Sequence, residues 1–164
     1  MSSFFTSFDL NGYGMSAQRV RTNVISSNIA NSETTRTSDG GPYKRRSVVY
    51  KTVDFDNLLD KLQKQYKLSG LEYADPLRTG NKNEPSLMSK AVMVDKIVRD
   101  DSEPKMKFDP SHPDANADGY VAYPNINPVI EMADLIEATR AYQANVAAFE
   151  NTKGMYNSTI SLLQ

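Results

Sequence analysis

Proline placement constrains this chain more than any other feature. All eight prolines fall between Pro42 and Pro128, and the 41 residues before and 36 after that window hold none. Proline removes a backbone donor and clashes with the preceding helical turn, so long helices belong outside the window. The apolar spacing agrees. Taken at alternating steps of three and four, one seam runs through Met132, Leu135, Thr139, Tyr142, Val146, Phe149, Lys153, Tyr156, Ile160 and Leu163. All but Thr139 and Lys153 are apolar, a heptad pattern sustained over the segment. Asn127-Pro128 predicts its start, with an Asn N-cap and a proline at the first helical position. Glu131, Asp134 and Glu137 put negative charge near the positive end of the helix dipole.

The N-terminal segment repeats the idea less cleanly. Leu10, Tyr13, Ala17, Val20 and Val24 form one seam, and Ile25 and Ile29 open an adjacent face. Gly12 and Gly14 weaken helix there, which leaves its start open. Its end is predicted at Asn28 to Asn31, before a Ser/Thr-rich run and Gly40-Gly41-Pro42. Between the helices, Ser47 to Phe55, Lys90 to Arg99, Lys105 to Phe108 and Gly119 to Tyr123 read as short strands. Leu58, Leu59, Leu62 and Tyr66 suggest a short amphipathic helix, and residues 69–89 a flexible polar excursion. The expected fold class is α+β. Long terminal helices (1–33 and 127–164) pair as a coiled-coil-like layer, and 34–126 form a small central β-rich region with a flexible insertion at about 54–89.

Composition then removes whole classes of function. Nineteen basic and twenty acidic residues give a net charge of −1, without the positive excess that nucleic-acid binding requires. Lys44-Arg45-Arg46, the one basic cluster, reads as a solvated edge. No cysteine and a single histidine, His112, exclude thiol catalysis and zinc sites built on cysteines or paired histidines. No apolar run is long enough to span a membrane, and the N-terminus has no secretory signal pattern. No catalytic residue, cofactor, metal or small-molecule substrate is expected.

Three motifs are weighed against this reading. Gly12-Tyr13-Gly14-Met15-Ser16-Ala17 matches a dinucleotide fingerprint but lacks the buried strand that should precede it. Ser111, His112 and the nearby aspartates are too close in sequence to form a triad. Asp114-Ala115-Asn116-Ala117-Asp118-Gly119 matches the start of a calcium loop, although the twelfth position is Asn125 rather than Glu. A calcium-binding interaction module centred on 114–119 is therefore the alternative function.

A seam as long as the C-terminal one needs a partner along its length, because ordering a helix is unfavourable unless its apolar face is covered. The N-terminal helix offers a shorter match, so neighbouring chains are expected to cover the rest, and a lone chain should have disordered ends. Specific residues carry a resemblance that agrees. Ala17-Gln18-Arg19 leading to Ser26-Ser27-Asn28-Ile29-Ala30-Asn31-Ser32, with Pro42-Tyr43-Lys44-Arg45, resembles the N-terminal signature of bacterial flagellar rod, hook and filament-type axial proteins. Asp109-Pro110, His112 to Ala115, Asp118 to Val121, Pro124-Asn125, Glu131-Met132, Arg140 to Val146 and Lys153 to Met155 resemble the proximal-rod members of that family.

The resemblance implies a non-enzymatic subunit of the flagellar basal-body rod, crossing the periplasm and exported unprocessed by flagellar type III secretion. It implies helical assembly that transmits torque for motility, with the terminal helices inside and the β part outside. Implied partners are copies of the chain, other proximal and distal rod subunits, the rod–MS-ring adaptor and the export apparatus. The expected subunit contacts are Val20, Val24, Ile25, Asn28, Ile29 and Asn31 from the first helix. From the last they are Met132, Leu135, Tyr142, Val146, Phe149, Tyr156, Ile160 and Leu163. Asn28 and Asn31 are expected to end the helix and to bond the backbone of a neighbouring chain.

Overall fold

The computed structural model describes residues 2–54 and 90–162. The expected helix at Leu58 to Tyr66, residues 55–89 of the expected insertion and Leu163 lie outside the described residues. The elements run α1 (Ser2–Ala30), β1 (Arg46–Asp54), β2 (Lys90–Arg99), β3 (Lys105–Phe108), β4 (Tyr120–Tyr123) and α2 (Pro128–Ser161). The class is α+β, with two long helices and small strand pairs. β1 pairs with β2, and β3 pairs with β4 in a second two-stranded sheet. Among the described residues, no helix is long and apolar enough to cross a membrane.

The helix ends follow from local chemistry. Asn127 Oδ1 accepts the N–H of Val129 at 3.1 Å, an N-cap that satisfies one of the donors left open at a helix start. At the other terminus Asn31 Nδ2 donates to the carbonyl of Ser27 at 2.8 Å, and Ser32 Oγ to that of Ile29. The Ile29 carbonyl, which a further helical turn would have used, is taken by Ser32, whose N–H also donates to it, while the Asn31 side chain adds a second bond to the Ser27 carbonyl that its own N–H already reaches.

The described residues form two compact units. Of the described residues, one unit draws on 2–16, 51–54, 90–93 and 144–162. In it Phe8 meets Phe149 edge-to-face, with ring centroids 4.9 Å apart. Gly12 and Gly14 do not interrupt α1, contrary to the weakness expected there. Gly14 has a packing role: a Cβ at that position would sit 3.1 Å from Asn145 Nδ2. Glycine lets the α1 backbone approach the Asn145 side chain.

The other unit comprises Ala17–Tyr50 and Val94–Gln143. Its core holds Ala17, Val24, Ile25, Tyr43, Val121, Ile126 and Ala138. β3 and β4 are antiparallel, with Met106 opposite Ala122 and Phe108 opposite Tyr120. The connecting loop turns at Gly119, where φ is +80° and a Cβ would lie 2.9 Å from the Phe108 ring. Only glycine fits both conditions. Within each unit the helices run antiparallel. Phe8 and Gly14 face Phe149 and Asn145, while Arg21 and Asn28 face Glu137 and Glu131.

Candidate assembly interface

Among the described residues, two of the three largest fully buried side chains, Glu131 and Asn28, are polar, the third being Val121. Asn28 and Glu131 are each only 1% exposed, and a buried amide and carboxylate require partners. Asn28 Nδ2 donates to the carbonyl of Arg46 at 2.8 Å, and Asn28 Oδ1 accepts the Arg46 N–H at 3.0 Å. One side-chain amide thus pairs with both main-chain groups of one residue, as a strand neighbour would. Nδ2 also donates to Glu131 Oε2 at 3.0 Å. Glu131 Oε1 accepts from Arg45 Nε and Nη2, both at 2.7 Å.

Tyr43 extends the network. Its hydroxyl donates to Asn28 Oδ1 at 3.2 Å, which leaves Ser27 Oγ to donate to the Tyr43 oxygen. The Arg46 guanidinium lies 5.4 Å from the Tyr43 ring centroid. This anchor joins the end of α1, the start of β1 and the first turn of α2. An open cleft of about 320 Å³ lies beside it, walled in part by Arg21, Val48, Tyr50 and Asp134. Arg21 is held by Glu137 at 3.4 Å and Asp134 at 3.9 Å, and Arg45 by Glu131. The cleft therefore offers no unpaired charge on Arg21 or Arg45 with which to hold an anion. Burial pushes the Tyr50 hydroxyl above its usual pKa, with Arg21 acting in the opposite sense.

The residues expected at subunit contacts divide by burial. Val24, Ile25 and Asn28 are buried within the chain itself. Val20, Ile29, Asn31, Leu135, Val146 and Phe149 are half-buried, and Met132, Tyr142, Tyr156 and Ile160 are exposed. The α2 residues buried deepest, Glu131 and Ala138, stand one position from the Met132–Thr139 seam. The backbone that Asn28 bonds is that of its own chain, at Arg46, whereas a neighbour's was expected. Arg45, read as part of a solvated edge, is half-buried against Glu131. An acid at the first turn of α2 and a base before β1 were visible in the sequence, but nothing local paired them.

The weighed motifs resolve on geometry. Gly12 to Ala17 lie inside α1, where a dinucleotide fingerprint requires a strand and turn. Ser111 Oγ donates to Asp109 Oδ1 at 2.7 Å, and His112 Nδ1 accepts the Asp114 N–H at 3.1 Å, so no serine–histidine bond forms. In the calcium-like loop Asp114 Oδ2 accepts from Thr35 Oγ1 at 2.8 Å. Asn116 Oδ1 accepts the N–H groups of Asp118 and Tyr120. These oxygens hold the loop together, and among the described residues no acidic or histidine cluster could hold a metal. The calcium alternative has no support.

What remains unaccounted for is apolar surface. Val129, Ile130, Met132 and Ile136 are all more than half exposed in the first three turns of α2, Val129 at 74%. Met155, Tyr156 and Ile160 are exposed nearer its end, and Leu162 just past it. Exposed apolar side chains gathered along a helix in this number mark a surface that another molecule covers.

Comparison with known proteins defines what that is. Residues 12–36 match the model described as "Flagella basal body rod protein", and residues 117–162 match "Flagellar basal body rod FlgEFG protein C-terminal". The chain is thus of the flagellar basal-body rod class, a structural protein of the bacterial flagellum. The flagellar basal-body rod protein FlgC of Borreliella burgdorferi is 38% identical over 164 residues, covering 98% of this chain and 97% of the relative. FlgC of Bacillus subtilis is also 38% identical, covering 96% and 97%, and FlgC of Aquifex aeolicus is 34% identical, covering 97% and 96%. The chain belongs to the FlgC family, whose place is the rod of the flagellar basal body.

Proposed function

We propose that this chain is a subunit of the proximal part of the rod, exported by the flagellar type III apparatus and assembled helically to carry torque. In this reading residues 1–33 and 127–164 form an inner, coiled-coil-like helical layer, and 34–126 form the outer β-rich region. Its partners are further copies, other proximal and distal rod subunits and the rod–MS-ring adaptor. It is not an enzyme.

The observation that carries the reading is the uncovered apolar surface of α2. Burying a Val, Ile or Met side chain is worth about 1.5–3 kcal/mol, so leaving several open favours association. The exposed residues Met132, Tyr142, Tyr156 and Ile160 are the direct contacts, with Leu163 continuing their spacing. Val20, Ile29, Asn31, Leu135, Val146 and Phe149 form the margins of those contacts. Val24, Ile25 and Asn28, already covered within one chain, fix the shape of the surface.

Met132→Asp tests this. Met132 is 52% exposed, so a carboxylate there leaves the fold intact. Assembly and motility are expected to be lost, with the far-ultraviolet circular dichroism of the chain unchanged. A motile strain carrying Met132→Asp would contradict the proposal.

A further inference from the structure

The sequence has a single Asn-Gly step, Asn11-Gly12, within the glycine motif that lies inside α1. Asparagine and glycine are both poor helix formers, and Gly14 follows two residues later. Nothing lies within 4 Å of a Cβ built at Gly12, so packing does not account for the glycine. The helix is also weakly held here. From Ser7 to Ser16 and from Ala144 to Leu162 no side chain is buried. Further along, α1 buries Ala17, Val24, Ile25 and Asn28. Segments with few buried contacts open locally at small free-energy cost.

Opening exposes a reaction. A glycine nitrogen has no Cβ beside it and can approach the side-chain carbonyl carbon of a preceding asparagine. The Gly12 nitrogen forms a bond to Asn11 Cγ, the Cγ–Nδ2 bond breaks, and the proton lost by Gly12 leaves with the amide nitrogen as ammonia. Water then opens the cyclic imide at either carbonyl, giving aspartate or isoaspartate. In the closed helix the step is blocked. The Gly12 N–H is committed to the carbonyl of Phe8, and the Asn11 backbone is fixed. The Asp-Gly steps at Asp39 and Asp118 are better guarded. The Gly40 N–H donates to the Thr37 carbonyl and the Gly119 N–H to that of Asn116, both at 3.0 Å. A carboxylate is also a poorer electrophile than an amide.

We propose that Asn11 is a modification site that deamidates in the native chain, without an enzyme, through local opening of α1. Either product adds a negative charge to the helix. Isoaspartate also lengthens the main chain by a methylene, which breaks the helical spacing. The reaction needs only one chain and water, so it holds whether or not the chain assembles.

The purified full-length chain is incubated at mildly alkaline pH in buffer and in urea, and its tryptic peptides are followed by mass spectrometry. Residue 11 should convert before any other asparagine, to both acids. In buffer it should convert no more than about 30-fold slower than in urea, the ratio that a small opening free energy allows. Asn11→Gln should abolish the change at residue 11. Gly12→Ala should slow it in urea, where helix stability has no part. Protection beyond about 30-fold, earlier conversion of another asparagine, or an unchanged rate for Gly12→Ala in urea would overturn the proposal.

Discussion

Asn28 shows how much one side chain can decide. It is buried in α1 and satisfies both backbone groups of Arg46 while donating to Glu131. Asn28→Ala orphans those groups and should cost about 2–4 kcal/mol, read by urea unfolding of the full chain. Asn28→Asp should be at least as damaging, because it removes both donors and adds a carboxylate beside Glu131. An aspartate variant as stable as the parent would show that the bond to Arg46 is dispensable.

Asp109 provides a pH-dependent counterpart. The Ser111 hydroxyl, and then its N–H, donate to its carboxylate and hold the pKa below the usual carboxylate range. A group whose pKa is lowered on folding favours the folded loop above the ordinary value, about 3.9. That contribution fades as pH falls through the lowered value. The Ser111 amide resonance should therefore titrate with a midpoint below about 3.9. Asp109→Asn should abolish the transition, and a midpoint at or above the ordinary value would contradict the bond.

At the scale of the element, the two glycines of α1 have unlike roles. Nothing lies within 4 Å of a Cβ built at Gly12, while one at Gly14 meets the Asn145 side chain at 3.1 Å. Gly12→Ala should stabilise α1 by about 0.5–1 kcal/mol, the ordinary helix preference for alanine over glycine. Gly14→Ala should gain less or lose stability, because Asn145 has to shift. Thermal unfolding of the two variants checks the contrast. Equal gains would mean that α1 and α2 approach less closely at this point than described.

For the whole molecule, helix content should depend on company. α2 is 34 residues long, and apolar residues point away from as well as toward α1 along it. Most helical stability in proteins comes from packing an apolar face rather than from local preference. Circular dichroism should therefore show less helix per residue in the dilute chain than in assembled rods. Equal helix content in both states would mean that the intramolecular contacts alone suffice.

Much of the fold was legible in the residues themselves. β2 and β3 have the bounds read from the sequence, and α2 begins at the Asn127-Pro128 signal. The reason is local: capping, proline geometry and side-chain alternation act over a few residues. The α2 seam was legible as a pattern, but which side faces inward was not. Burial is deepest at Glu131 and Ala138, one position from the Met132–Thr139 seam, because Asn28 and Arg45 receive the carboxylate. Partners 86 and 103 residues away in the chain leave no periodic trace. The sequence by itself determined where α2 begins, where α1 ends and where β2 and β3 lie, and it pointed to more apolar surface than one chain covers. Only the tertiary structure decided that Asn28 binds its own chain and that Arg45 is an anchor rather than a solvated edge. Local preferences depend on neighbouring residues, whereas buried polar partners are chosen by the chain's path through space.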